Sequence, residues 1–310
     1  MSVVTDGGNA LTGLRVAVLG PGGVGGLLAA LLARGGAAVT CLAGAATAEQ
    51  LRTAGIRLES AHLGDSTTPV DAAERLTAPV DVLLVTVKAT HLDDALERVP
   101  ADVLGDALVV PLLNGVEHVD HLRRRYPQAG VVPATIRVES TRTAPGVIQH
   151  GSPFVTVDLV AVPGLEQRVR RLADALQRVG VTTEVGDDEP AVLWSKLNFL
   201  APLALLTTAA RATAGEVRES RREDLVAIVG EVAAVARAEG APADEEQVVG
   251  FFDGVPAGMR SSMQRDAAAG RPLELDAIGG AVVRAATRHG IAVPVTARYV
   301  DELRERHPGS

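Results

Sequence analysis

The apolar positions of the chain follow two rhythms. Up to about residue 186, short apolar runs alternate with stretches of helical period, whereas beyond it only the helical period remains. Arg15–Leu19, one charged residue followed by four apolar ones, reads as a buried strand. It runs into Gly20-Pro21-Gly22-Gly23-Val24-Gly25, after which residues 27–34 read as an apolar helix stopped by Gly35 and Gly36. Residues 37–42 form the next strand and complete a βαβ unit. The alternation continues with a helix at 48–54, an extended segment at 56–59, a buried strand at 80–87, a helix at 91–99, a strand at 107–113 and a helix at 117–125. Strands that alternate with helices predict an α/β architecture with a parallel, doubly wound sheet.

Between residues 131 and 160 the pattern becomes extended and is broken at Ala144-Pro145-Gly146 and Gly151-Ser152-Pro153, which predicts hairpins added to that sheet. A helix at 165–179 and a strand at 181–185 close the region, and residues 186–190 read as a linker. The remaining periodic segments, 191–210, 221–239, 244–252, 262–268, 273–289 and 296–306, are all helical. The expected organisation is a frayed extension at 1–14, an α/β domain at 15–186 and an all-helical domain at 187–310. A length of 310 residues agrees with two domains, being about twice the usual single-domain length.

Composition narrows the class of partner. Four Phe, two Tyr and one Trp leave few platforms on which bases could stack. The net charge is -8 and the arginines are interspersed with acids, which disfavours nucleic acid and anionic membranes and points to a small-molecule partner. Cys41 is the only cysteine, so neither an internal disulfide nor a thiolate metal cluster is expected, and a reducing, cytoplasmic setting fits. No metal site is expected. The apolar stretches at 27–33 and 199–210 fall short of the ~20 residues of a membrane span, and the first residues lack the basic n-region of a signal peptide.

The glycine sequence carries the first chemistry. In Gly20-x-Gly22-x-x-Gly25 the first glycine permits a tight turn, the second lets backbone N–H groups approach a pyrophosphate, and the third allows close helix–strand packing. The helix N-terminus adds partial positive charge. Set between a strand and a helix, the motif predicts a dinucleotide site in a Rossmann-type domain, and residues 20–25, Pro21, Gly23 and Val24 included, form the expected cofactor turn. The second strand ends in Val39-Thr40-Cys41-Leu42-Ala43-Gly44, without the acid of NAD sites or the arginine of NADP sites. Because no acid repels a 2′-phosphate, the pattern leans to NADPH and leaves NADH open.

Of 30 basic residues only Lys88 and Lys196 are lysines. An ammonium can give up its proton, which a guanidinium effectively cannot, so each surviving lysine marks a candidate for proton transfer. Lys88 follows the strand at 80–87, at the carboxyl end of a sheet strand where ligands bind in such folds. Lys196 lies early in the first helix after the linker, just beyond Trp194, where the two domains are expected to meet.

These residues and their neighbours resemble the ketopantoate reductase (2-dehydropantoate 2-reductase) family. The resemblance runs from Arg15 to about Leu303 and rests on Gly20-Pro-Gly-Gly-Val-Gly25, Val85-Thr-Val-Lys88-Ala, Leu112-Leu-Asn114-Gly115-Val, Gly146-Val-Ile-Gln-His150-Gly151, Leu193-Trp-Ser-Lys196-Leu, Ser261-Ser262-Met, Gly270-Arg-Pro-Leu-Glu274-Leu-Asp276 and Gly290-Ile-Ala-Val-Pro294. It implies an NADPH-dependent enzyme of pantothenate biosynthesis, with a Rossmann domain followed by a helical one, that reduces 2-dehydropantoate to pantoate. A homodimer is a possible assembly. Lys196 matches the catalytic general acid and Glu274 its acidic partner. Ser262 matches a serine that hydrogen-bonds substrate, and Lys88 and Asn114 match positions lining the nicotinamide and substrate; Asn114, Lys88 and Glu274 also count as cofactor-binding positions.

Plainer readings stand beside these. Pro272 and Glu274 could simply open a helix, Ser262 could be an N-cap, Asn114-Gly115 could be only a turn, and His150 reads as structural. The sequence also departs from the family pattern. Leu200 and Ala204 occupy the positions four and eight residues after Lys196 where the family usually carries asparagines, and Asn198 lies on another helix face. Gly44 stands where the family's 2′-phosphate arginine would be. A reductase for a more apolar 2-oxo acid or ketone is therefore an alternative, and a non-catalytic NADP-binding sensor is an alternative of another class.

Overall fold

A computed structural model describes residues 11–308 of the chain. Most of the expected frayed extension lies outside the described residues. Its last part is packed: Leu11 is buried and its N–H donates to Gly35 O at 3.0 Å. The chain divides into two compact units, one taking in the residues up to Leu113 together with His118–Asp187, the other combining Asn114–Glu117 with the chain from Asp188 onward.

The first unit is built on a six-stranded sheet in the order Asp71–Ala73, Ala38–Leu42, Arg15–Leu19, Val82–Val85, Leu108–Pro111, Gly130–Val131, with every pairing parallel. Arg15–Leu19 sits near its middle, which explains why Val16, Ala17 and Val18 are wholly buried. The helix after it, Gly23–Arg34, begins inside the glycine sequence, earlier than the periodicity predicts. It is apolar on all sides, and Leu27, Leu28, Leu31 and Leu32 have no exposed surface. A helix of that kind needs cover on more than one face.

The extended segments expected to widen the sheet supply that cover instead. Ser140–Ala144 and Val147–His150 form a hairpin in a separate four-stranded sheet with Ile56–Ser60 and Ser66–Thr68, and this sheet packs on the far side of Gly23–Arg34 through Ile56, Leu58 and Ile148. A third sheet places Thr156–Val160 between Ala134–Arg137 and Thr182–Gly186. The helix Glu166–Arg178 lies over it and buries Val169, Leu172, Ala173 and Leu176, the i, i+3, i+4, i+7 stripe of an amphipathic helix.

The second unit is helical around the 22-residue helix Glu189–Ala210. The expected linker shrinks, because the last strand runs to Gly186 and Asp188 already caps the helix by accepting from the Ala191 N–H at 3.0 Å. Length and apolarity would let this helix cross a membrane, which the apolar run at 199–210 alone did not suggest. Of its most apolar window, 67% is buried, and the helix packs on Arg222–Ala238, Pro294–Arg306 and Ser262–Ala268. That is the burial of a core helix.

Two local features differ from the periodicity. Ala214–Ser220 is a helix that the apolar pattern missed, although Thr213 and Glu216 form a capping box at its start. The expected helix at 273–289 opens as a π-helical turn, Asp276–Gly280, before continuing as Ala281–His289. Such wide turns concentrate at functional sites.

Cys41 lies in the core with no exposed surface, and burial pushes its thiol up to about 12. It is expected to stay unreactive toward a disulfide reagent such as DTNB at neutral pH in the native state and to react fully once the chain is unfolded in guanidinium chloride. Rapid reaction of the native protein would contradict this packing.

Candidate active site

The glycine turn separates packing from ligand chemistry residue by residue. Gly20 has φ +85°, and a Cβ there would lie 2.4 Å from Val87 Cγ1, so both conformation and space exclude a side chain. At Gly25 a Cβ would fall 2.2 Å from Thr86 Oγ1, 2.5 Å from Gly20 O and 3.0 Å from Val18 Cγ1. Gly23 meets Ser140 O at 2.2 Å in the same test. Gly22 differs, since the nearest atom to its Cβ position is Gly20 O at 3.9 Å. Among the described residues no packing demands a glycine at 22, which is the cradle expected where a ligand approaches the backbone.

Gly22 is also the N-cap of Gly23–Arg34. It has no side chain to cap the helix, and the first turn carries no acid. The helix start therefore presents N–H groups and partial positive charge that suit an anion. Thr86 buttresses the turn, its hydroxyl lying 3.0 Å from Leu19 O and 2.9 Å from Gly20 O. Ser140 Oγ donates to Gly23 O at 2.8 Å. Thr86 sat within the Val85-Thr86-Val87-Lys88 sequence unnoticed, while Ser140 gave no sequence signal at all because it comes from the other sheet. Lys88 is half-buried just beyond Val82–Val85 and opens the turn Ala89–His91. These groups all belong to the first unit.

In the helical unit Asn114 Nδ2 donates to Glu274 Oε2 at 3.0 Å, joining two residues 160 positions apart. Glu274 is only 5% exposed, so its carboxylate depends on such partners. The segment carrying Asn114 is held in two further ways. Gly115, at φ +90°, brings its backbone so close to the π-helical turn that a Cβ would meet Ala277 O at 2.4 Å. Glu117 accepts from Arg284 Nε at 3.0 Å and Nη2 at 2.6 Å, while Arg284 Nη1 donates to Asp276 Oδ1 at 2.7 Å. These carboxylates raise the Arg284 guanidinium above its ordinary value, the Glu117 hydrogen bond most of all. Asn114-Gly115 is thus a turn and a hydrogen-bonding group together.

The structure removes the plain reading of Ser262 as an N-cap and keeps Glu274 at a helix start, its carbonyl accepting from the Ile278 N–H at 3.0 Å. Ser261, not Ser262, caps Ser262–Ala268, accepting from the Gln264 N–H at 3.0 Å and lying 2.9 Å from Thr207 Oγ1. Ser262 is half-buried at the first helical position, and none of the described residues engages its hydroxyl. Glu274 precedes the helical turn instead of lying in it as the third residue after a proline start. Lys196 is half-buried about two turns into Glu189–Ala210. Along the same helix Leu200 is half-buried, whereas Ala204 is fully buried. Asn198 is buried with its Oδ1 unbonded. Asn114 and Glu274 are brought into contact; Lys196 and Ser262 stand on separate helices of the same unit. His150 is structural, buried with Ser60 Oγ 2.8 Å from Nδ1 and Ser152 Oγ 3.2 Å from Nε2.

Comparison with known proteins bears on this arrangement. A family model described as ketopantoate reductase PanE/ApbA matches residues 16–158, and its C-terminal counterpart matches residues 190–307. A 2-dehydropantoate 2-reductase of Mycobacterium tuberculosis is 34% identical over 292 residues, covering 91% of this chain and 94% of its own. The crystal structure of 2-dehydropantoate 2-reductase from Methylococcus capsulatus, 27% identical, superposes with a TM-score of 0.85 over 96% of this chain and 99% of its own. A ternary structure of D-mandelate dehydrogenase with NADH and anilino(oxo)acetate shares the fold at 21% identity, with a TM-score of 0.86 over 95% of this chain and 98% of its own.

Two alanine substitutions separate the roles inside the glycine turn. Gly25→Ala is expected to destabilise the fold by about 1–3 kcal/mol in urea denaturation, because its Cβ has no room. Gly22→Ala is expected to leave folding within about 0.5 kcal/mol and to weaken nicotinamide dinucleotide binding on the order of tenfold in calorimetric titration. Equal effects of the two on folding would contradict the assignment.

Proposed function

The chain belongs to the ketopantoate reductase family, oxidoreductases acting on CH–OH groups, and from that premise we propose that it reduces a 2-oxo acid to its 2-hydroxy acid with NADPH, 2-dehydropantoate being the favoured substrate. The observation that carries the reading is the contact of Asn114 with buried Glu274 in the unit that also bears Lys196 and Ser262. The name of the Mycobacterium tuberculosis relative supports the substrate, and the match of residues 85–89, 112–116 and 193–197 to the family's motifs supports the roles. The buried, protonated Cys41 is compatible with the cytoplasm as its place of work.

Residues 20–25 would hold the pyrophosphate through the N–H groups at the start of Gly23–Arg34. When bound there, a reduced nicotinamide dinucleotide supplies the hydride that reaches C2 of the oxo acid. The chain's own task is the proton and the charge. Reduction builds negative charge on the carbonyl oxygen, and an ammonium aimed at that oxygen stabilises the charge and hands over a proton. We assign that ammonium to Lys196. Glu274 balances its positive charge and, through Asn114, is held in one orientation. The Ser262 hydroxyl, not consumed by capping, hydrogen-bonds the substrate, and Lys88 and Asn114 border the nicotinamide and substrate.

A second reading concerns substrate choice alone. Leu200 and Ala204 follow Lys196 at one-turn intervals and carry no polar atom, which favours a more apolar 2-oxo acid or ketone over one with hydroxyl groups to satisfy. A panel of 2-oxo acids assayed with NADPH and NADH distinguishes the two, the higher kcat/KM identifying the substrate class. Lys196→Ala is expected to lower kcat by about 10²–10⁴-fold while leaving dinucleotide affinity unchanged. Unaltered turnover would overturn the assignment.

A further inference from the structure

The residue that would read the 2′-phosphate of NADPH is missing from the end of the second strand, yet a guanidinium reaches that place from elsewhere in the same unit. Arg98 Nη1 donates to Ala43 O at 3.3 Å and to Glu74 O at 2.9 Å, and Arg98 Nη2 lies 3.9 Å from where a Cβ on Gly44 would be. The backbone is pinned as well, since the Leu76 N–H donates to Arg98 O at 2.8 Å and the Arg98 N–H donates to Ala95 O at 3.0 Å. Both acceptors of the guanidinium are neutral carbonyls, so these bonds orient the side chain without neutralising its charge. No acid stands in the first turn of Ala45–Ala54, and Ala43 and Gly44 bring none at the strand end.

In a dinucleotide-binding sheet the end of the second strand faces the adenosine ribose, where an acid selects the 2′-hydroxyl and an arginine accommodates the 2′-phosphate. A fixed guanidinium with an unneutralised charge suits a dianionic phosphate and offers nothing special to a hydroxyl. We propose that Arg98 takes over the role vacated at Gly44 and is the residue that makes this chain prefer NADPH to NADH.

The inference rests on the reading that the glycine turn binds a nicotinamide dinucleotide, and calorimetric titration with NADP⁺ and NAD⁺ separates the two. The wild-type protein is expected to bind NADP⁺ at least about tenfold more tightly than NAD⁺. Arg98→Ala should erase that preference by weakening NADP⁺ alone, with NAD⁺ affinity within about twofold. Arg98→Gln keeps a donor for the two carbonyls but no charge, and should behave like Arg98→Ala toward NADP⁺ while retaining the wild-type melting temperature. Gly44→Arg placed in the Arg98→Ala background installs the ordinary 2′-phosphate arginine and should restore the preference, showing that Arg98→Ala had left the rest of the dinucleotide site intact. Retention of the preference in Arg98→Gln, an equal loss of both affinities, or a wild-type protein without preference would each overturn the role of Arg98. Binding of neither dinucleotide by the wild-type protein would overturn the underlying reading as well.

Discussion

The first unit depends on one close approach of backbone to side chain. Gly25 lets the start of Gly23–Arg34 lie against Val18, in the strand Arg15–Leu19, and Thr86, just beyond the adjacent strand Val82–Val85, and Thr86 in turn holds the carbonyls of Leu19 and Gly20. Strand, turn, helix and the neighbouring strand are thereby locked into one body. Such rigidity would suit a ligand-binding turn, because ordering a loose loop at the moment of binding would consume the energy of the contacts it makes. Here the order exists beforehand, and Gly22 is the one glycine of the turn with room for a side chain among the described residues.

In the helical unit a different constraint dominates. A carboxylate that is 5% exposed is costly unless hydrogen bonds compensate it, and Glu274 receives one from Asn114. That bond is available because Gly115 and the Glu117–Arg284 pair fasten the 114–117 segment to the π-helical turn following Glu274. Widening of the turn at Asp276–Gly280 and the approach of Gly115 to Ala277 occur at the same place. The polar residues singled out for chemistry thus share their supports with the irregular backbone beside them.

Arginine plays the same bridging part within each unit taken by itself. Charge pairs such as Arg284 with Glu117 and Asp276 tie segments together, and Arg98 ties the end of one strand to the segment after another. A planar fork with several donors suits such bridging better than an ammonium does.

Periodicity and glycine placement by themselves determined the α/β character of the first part, the helical character of the second and the location of the glycine turn between strand and helix. Those features are local, since a period of apolar positions and a residue without a Cβ act on the nearest strand or helix. The resemblance of the motifs singled out Lys196, Glu274, Asn114 and Ser262 as candidates. Tertiary structure alone decided that the extended segments would form separate sheets, because only the packed helix Gly23–Arg34 shows how much apolar surface remained to be covered. It also decided that Ser261 caps its helix and leaves the Ser262 hydroxyl unengaged, and that Asn114 meets Glu274. Arg98 beside Gly44 is of the same kind. Contacts between residues tens to hundreds of positions apart depend on how the intervening chain folds, and no local pattern encodes them.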